Sequence, residues 1–382
     1  MAILLNVRLP EMSGLHCLEV VDHQLRSILP MEKVAANAVQ SIDLKGDWVS
    51  QGGVDLQING VLGLAFPDLE EPEELAKTAS FLWNQGIDAF TPTIVTADSG
   101  KIQKSLSVIR AYQAQDKRPN HAVVLGAHLE GPFLNPAKRG AHAEEHVQPL
   151  SLKRLQSLLA DYLDVVKIIT LAPEMEIDED IAVIPWLRSH DITISLGHSL
   201  ATATEAQTAF AQGASMVTHA FNAMPGLHHR EPGLLGAALT QPNVFTGVIA
   251  DGQHVCPTML DLLLRTGRGG DTPGGLFLVS DALSPLGLPD GTYPWDSREI
   301  EVRQGTARLP DGTLSGTTRP LLDGVKNLVR WGLCSVEEAI ALATERPRQA
   351  VDMPQLKPRQ TTHLLRWHYD GTDLTWQRIM AN

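Results

Sequence analysis

Four residues, Glu130, His198, His219 and Asp281, each stand at the end of an apolar run, and their types are those of a hydrolytic metal site. A carboxylate and two imidazoles make three protein ligands and leave one coordination position for water, which is the make-up of a catalytic rather than a structural site. An ion held there lowers the pKa of water by several units. Asp281 is then available for the proton transfers, as base toward the water and as acid toward a leaving amine. Gln57, Asn59 and His254 also fall at the ends of apolar runs. Each residue has a plainer reading too: a core histidine, a helix cap for Asp281, a turn residue for Glu130. Glu130 lies between Leu129 and Gly131-Pro132, where an unpaired carboxylate is costly, so it needs a partner. His128 shares its strand face and reads as packing or support for the ligands. The neighbours His228, His229 and Arg230 read equally as an exposed basic loop.

The elements that must carry these residues are most clearly seen between Ile192 and Met224. Ile192, Ile194 and Leu196 alternate with Thr193 and Ser195 up to Gly197-His198, the period of a strand. A helix follows, with Thr202-x-x-Glu205 at capping-box spacing and Gly213 as its stop, and Ala214 to Thr218 is a second strand closed by His219. Six more strands fit the rest: one entered from the run Trp48 to Gly60, then Ala89 to Thr96, Ala122 to Glu130, Val165 to Thr170, Val244 to Ala250 and Leu276 to Ser280. Helical patterns lie between most of them, among them Glu70 to Gln85, Lys101 to Ala114, Leu150 to Leu163 and Thr258 to Arg265. Alternating strands and helices of this number predict an α/β fold, a (β/α)8 TIM barrel, with its chemistry at the carboxyl ends of the strands.

Outside that pattern, 1–50 reads as strands and turns, Ser284 to Gly316 as β-hairpin material, and Thr361 to Met380 alternates again. The expected organisation is a small β-sandwich domain built from both chain ends, 1–50 and 351–382, around a catalytic barrel at 51–350 that carries a hairpin insertion at 284–316. Helices are expected at Pro320 to Trp331 and Ser335 to Thr344.

Composition narrows the partners. A net charge of −13 and the lack of any basic run argue against nucleic acid. No apolar run approaches the roughly 20 residues of a membrane helix. Three scattered cysteines, Cys17, Cys256 and Cys334, make neither a disulfide framework nor a thiolate zinc site, and point to a reducing, cytoplasmic setting.

The runs VDLQING, HLEGPFLNPAKRGAH, GHS followed by THAFNAM, REPGLLGA, IADGQHV, VSDA and GTLSGT, spread over about Val54 to Ala350, resemble the N-acetylglucosamine-6-phosphate deacetylases of the amidohydrolase superfamily. The resemblance implies metal-dependent removal of an acetyl group, giving glucosamine 6-phosphate and acetate. It makes Glu130, His198 and His219 the ligands of one divalent ion per subunit, with zinc first and iron, cobalt or manganese as alternatives, and Asp281 the acid/base. Gln57-Ile58-Asn59 stands where many amidohydrolases place His-x-His for a second metal, so that position is expected to be vacant. Substrate contacts carried over are Ala141, His142, Asn222, Ala223, Arg230, His254, Leu314, Ser315 and Gly316. His254 would also support the reacting group, and Arg230 would grip the phosphate of the neighbouring active site in a homodimer. Gln51 departs from the family's usual proline, Ala220 is smaller than usual, and the tail after Pro347 lacks the usual landmarks. The competing readings are another amidohydrolase acting on a different N-acyl amine or cyclic amide, and a non-catalytic barrel that binds a sugar phosphate.

Overall fold

The computed structural model describes residues 2–22, 24–34, 41–177, 182–267, 275–361 and 363–379. Eight parallel strands form its centre: β1 (Gly53–Ile58), β2 (Ile87–Val95), β3 (Ala127–Glu130), β4 (Val166–Leu171), β5 (Thr193–Leu196), β6 (Met216–Val217), β7 (Phe245–Val248) and β8 (Gly275–Leu278). Each pairs with the next in chain order. The ring closes just past β8, where Ile58 and Ala282 form a parallel bridge and Asp281 N donates to the Gln57 carbonyl at 2.9 Å. This is the TIM barrel expected from the alternation of strands and helices.

Two apolar layers hold it. Val54, Leu56, Ala89, Ile168, Met216, Phe245 and Phe277 come from six of the strands and can meet only inside the ring; Ala350 and Val351 join the same cluster. The larger layer lies between strands and helices, with Leu75, Leu82, Leu106, Leu155, Leu187, Leu234 and Leu263 all buried against it. At about 25 cal/mol per Å2 of apolar surface removed from water, this burial is the main favourable term in folding.

Local signals explain the helices. The helix Ala203–Gln212 starts on a reciprocal cap: Glu205 N donates to Thr202 Oγ1 at 3.3 Å, and Thr202 N donates to Glu205 Oε2 at 2.8 Å. It stops at Gly213, which has φ 119°. The helix Pro72–Asn84 is capped in the same way by Glu71 and Glu74. Three further helices, Val183–Arg188, Gly233–Thr240 and Glu345–Ala350, have no counterpart among the sequence expectations.

The run from Trp48 is not one strand. Trp48–Gln51 belongs to a separate sheet, and the chain enters the barrel only after Gly52. A Cβ at Gly52 would stand 2.2 Å from Asp88 Oδ1 and 2.8 Å from the Gly86 carbonyl, so only glycine fits the crossing. That separate sheet has the order 360–361, 24–30, 12–21, 2–9, 48–51, 364–369, 374–379, with 41–43 beside 2–9. Residues 48–51 pair antiparallel with 364–367, which joins the amino-terminal strands to the carboxyl-terminal ones.

After β8 the chain builds a four-stranded antiparallel meander, Gly291–Trp295, Arg298–Arg303, Thr306–Arg308 and Leu314–Thr317. Leu283, Trp295, Ile300, Val302, Ala307 and Leu309 form its own small core. No helix of the described residues is long and apolar enough to cross a membrane.

Candidate metal and acid–base site

Glu130 ends β3, and His198, His219 and Asp281 lie two or three residues past β5, β6 and β8, so all four reach the same mouth of the barrel. Their side chains are buried at 8% exposure or less. Glu130 Oε1 is 3.0 Å from His198 Nε2 and 3.2 Å from His219 Nε2, and the two imidazole nitrogens are 3.1 Å apart. His198, His219 and Asp281 all have positive φ, 50°, 25° and 47°. Non-glycine residues held there cost on the order of 1–3 kcal/mol each, which the rigid ring around them has to offset.

Three donor atoms at mutual distances of 3.0 to 3.2 Å suit a small divalent ion, whose tetrahedral sites at metal–nitrogen distances of about 2.0–2.1 Å have edges near 3.3 Å. The outer hydrogen bonds agree. His198 Nδ1 donates to the Lys138 carbonyl at 2.8 Å, which leaves the Nε2 lone pair facing the cluster. His142 also lies near, with Nε2 3.9 Å from Glu130 Oε1, and Glu130, His142 and His198 form a group of potential ligands within 4.8 Å. Thr96 takes its Nδ1, through the backbone N–H at 3.3 Å and Oγ1 at 2.9 Å, which leaves Nε2 facing the mouth. Burial, then the charge of His198, pushes its pKa down to about 3, so it is neutral. His219 Nδ1 has no hydrogen-bond partner among the described residues.

Charges inside the cluster are coupled. Burial alone would raise Glu130, but the hydrogen bonds to His198 and His219 hold its carboxyl well below the usual range. Burial would lower His219, and the Glu130 carboxylate beside it raises it instead. Asp281 is raised by burial first and by the Glu130 charge second. A carboxyl pushed toward neutral pH is suited to accept and return a proton.

Of the two amides at the end of β1, Gln57 joins the acid to the donor cluster and Asn59 holds the acid. Gln57 Nε2 donates to Glu130 Oε1 at 3.0 Å and faces Asp281 Oδ1 at 3.4 Å, while Asn59 Nδ2 donates to Asp281 Oδ1 at 2.7 Å. Both amides thus present N–H groups to carboxylates. His254 is aimed by Asp251, whose Oδ2 accepts from Nδ1 at 2.7 Å and whose Oδ1 accepts the His254 backbone N–H at 2.8 Å.

The remaining expected residues are spread around the mouth. Ala141 packs at the foot of the meander, and Asn222 is tied to the Ala220 carbonyl at 3.0 Å. Ala223 has φ 51°, and its carbonyl accepts Ser199 N at 3.2 Å. Leu314, Ser315 and Gly316 lie on the meander's last strand, where a Cβ on Gly316 would stand 2.9 Å from the Asp281 carbonyl oxygen. Arg230 sits on an exposed loop, and among the described residues no contact joins it to the cluster. Sequence reading missed Asp251, Thr96 and the Lys138 carbonyl. For Asp251 there was a signal: an acid three residues before a histidine, in a Gly-containing turn.

No protein-family model matches the chain. It is 37% identical over 325 residues to the N-acetylglucosamine-6-phosphate deacetylase of Bos taurus, covering 82% of this chain and 77% of that protein. The chain belongs to the N-acetylglucosamine-6-phosphate deacetylase family. The Escherichia coli O157:H7 N-acetylgalactosamine-6-phosphate deacetylase is 32% identical over 330 residues, 85% of this chain and 84% of that one. Among solved structures, the N-acetylglucosamine-6-phosphate deacetylase from Pasteurella multocida aligns with a TM-score of 0.84 and 29% identity, over 98% of this chain and 99% of the other. Enamidase, a member of the amidohydrolase superfamily, shares the fold at a TM-score of 0.56 and 12% identity.

Proposed function

We propose that the chain hydrolyses the acetamide of N-acetylglucosamine 6-phosphate to glucosamine 6-phosphate and acetate. The observation that carries this reading is the convergence of Glu130, His198 and His219 within 3.2 Å, with Asp281 tied to the same cluster through Gln57. Glu130 Oε1, His198 Nε2 and His219 Nε2 would hold one divalent ion, proposed as zinc; iron, cobalt and manganese suit the same donors. When bound, the ion supplies Lewis-acid activation of water and of the amide carbonyl.

The protein's own groups do the rest. Asp281 takes the proton of the attacking water as the carbon–oxygen bond forms, and delivers it to the nitrogen as the carbon–nitrogen bond breaks. Asn59 and Gln57 fix its carboxyl for both tasks and hold no second ion. His142 directs its Nε2, and His254 the ring nitrogen not bound by Asp251, toward the substrate. Asn222, Ala223 and Leu314 to Gly316 shape the sugar's wall. Arg230 meets the phosphate of the neighbouring site in a cytoplasmic homodimer.

Acetate release from N-acetylglucosamine 6-phosphate, compared with its unphosphorylated, manno and galacto counterparts, tests the proposal. The gluco phosphate should give the highest kcat/KM, and a chain that releases no acetate from any of the four would sink it. A galacto-configured substrate is the second reading, favoured by the 32% identity to the Escherichia coli enzyme.

A further inference from the structure

The meander touches the mouth of the barrel on two sides. Its last strand returns to the acid: Thr317 N donates to the Asp281 carbonyl at 3.1 Å, and Leu283 N donates to the Thr317 carbonyl at 2.9 Å. Its first hairpin reaches the loop that carries His142. There Arg298 Nη2 donates to the Ala141 carbonyl at 2.6 Å, one residue before the histidine. Asp296 grips the same guanidinium, accepting from Nε at 3.0 Å and from Nη2 at 2.5 Å. A forked pair of this kind fixes the plane of the guanidinium as well as its distance.

The loop from Lys138 to His142 has two separate tasks. Its first carbonyl orients His198, and its last residue, held at Nδ1 by Thr96, presents Nε2 to the mouth. Arg139 binds the His142 carbonyl at 3.1 Å from within the loop; Arg298 grips it from outside, and Ala141 packs on the apolar core of the meander.

We propose that Arg298, clamped by Asp296, is a positioning residue that ties the meander to the Lys138–His142 loop and so fixes where His142 meets the substrate. The proposal rests on the reading of His142 as a substrate contact. The clamp grips the loop at Ala141, three residues from the Lys138 carbonyl that orients His198, while Glu130, His198 and His219 each ride on their own barrel strand, so the donor cluster depends on it far less than His142 does. Loss of the clamp therefore acts on binding geometry, where small displacements carry large kinetic cost.

The test compares Arg298→Ala, Arg298→Lys, Asp296→Asn, His142→Ala and the double variant R298A/H142A in the full-length, metal-loaded enzyme. Arg298→Ala should raise KM about tenfold and change kcat far less, with metal content equal to wild type. Asp296→Asn and Arg298→Lys should move KM in the same direction by less, since each keeps one contact but not the fork. In the His142→Ala background, Arg298→Ala should add nothing further to KM. Full additivity of the two substitutions overturns the proposal, as does a wild-type KM in Arg298→Ala. Amide hydrogen exchange without any substrate gives an independent reading: the segment 138–146 should exchange several-fold faster in Arg298→Ala while 193–198 does not change. Unchanged exchange at 138–146 overturns the clamp, whereas failure of the wild type to release acetate overturns only the substrate reading.

Discussion

Asp281 is held by Asn59 Nδ2 at 2.7 Å and raised by burial and by Glu130, which separates it physically from the ligand cluster it faces. Asp281→Asn keeps the shape of the side chain and removes its capacity to carry a proton. Metal content and substrate KM should stay near wild type while kcat falls by about 10^3 or more, read by elemental analysis and acetate release. Near-normal turnover would remove the acid/base role. The types of the proposed ligands and their places at strand ends were legible because each follows a short alternating apolar run. Their supports were not. His198 is oriented by the Lys138 backbone carbonyl and His142 by the backbone N–H and hydroxyl of Thr96, partners that lie 60 and 46 residues away in the chain and that no local pattern connects to the histidines. The left-handed backbone at His198, His219 and Asp281 is equally invisible in sequence, since it is imposed by packing of the ring rather than by residue type.

At the scale of elements, the turn after β5 shows how tightly the ring fixes the proposed ligands. A Cβ at Gly197 would stand 2.8 Å from Thr218 Cβ and 3.0 Å from Thr170 Cγ2, and both threonines are buried in a hydroxyl chain that runs from His128 through Thr170 and Thr218 to Ser195. Neither neighbour can move without breaking a hydrogen bond. Gly197→Ala should cost about 1–3 kcal/mol of stability and weaken metal retention through the adjacent His198, seen as a lower Tm and lower metal content after dialysis. A wild-type Tm and full occupancy would show that the turn has room to give. The strands and capped helices were readable because propensity and period agree there, as with Thr202, Glu205 and Gly213. The helices Val183–Arg188 and Gly233–Thr240 were not, because they are short and carry Pro185 and Gly236 in their interiors. The split of the first strand at Gly52 was hidden because both halves are apolar and alternating; it is decided by Asp88 on the next strand, whose Oδ2 takes the Gly52 N–H at 2.7 Å.

For the whole molecule, stability and assembly give two tests. Glu345 is buried at the start of the last helix, beside Thr344 and Arg348, and burial pushes its pKa up to about 7. Because the folded value lies above the unfolded one, its contribution is fully present below about pH 4.5 and is lost as pH rises to about 7, roughly 3 kcal/mol in all. Glu345→Gln removes that slope, so the variant's advantage in Tm over wild type should grow between pH 5 and pH 8; a constant difference would contradict the shift. Assembly is tested by mixing. If Arg230 serves the neighbouring site of a dimer, an Arg230→Ala subunit lacks a phosphate grip only in its partner's site, and an Asp281→Asn subunit lacks an acid only in its own. Refolding the two together in equal amounts makes about half the dimers mixed, and in each of those one site combines an intact Asp281 with an intact Arg230. About a quarter of all sites should then regain wild-type KM and kcat, although neither parent has both. Gel filtration as a monomer, or activity of the mixture equal to the mean of its parents, would place Arg230 with its own subunit's site or with none.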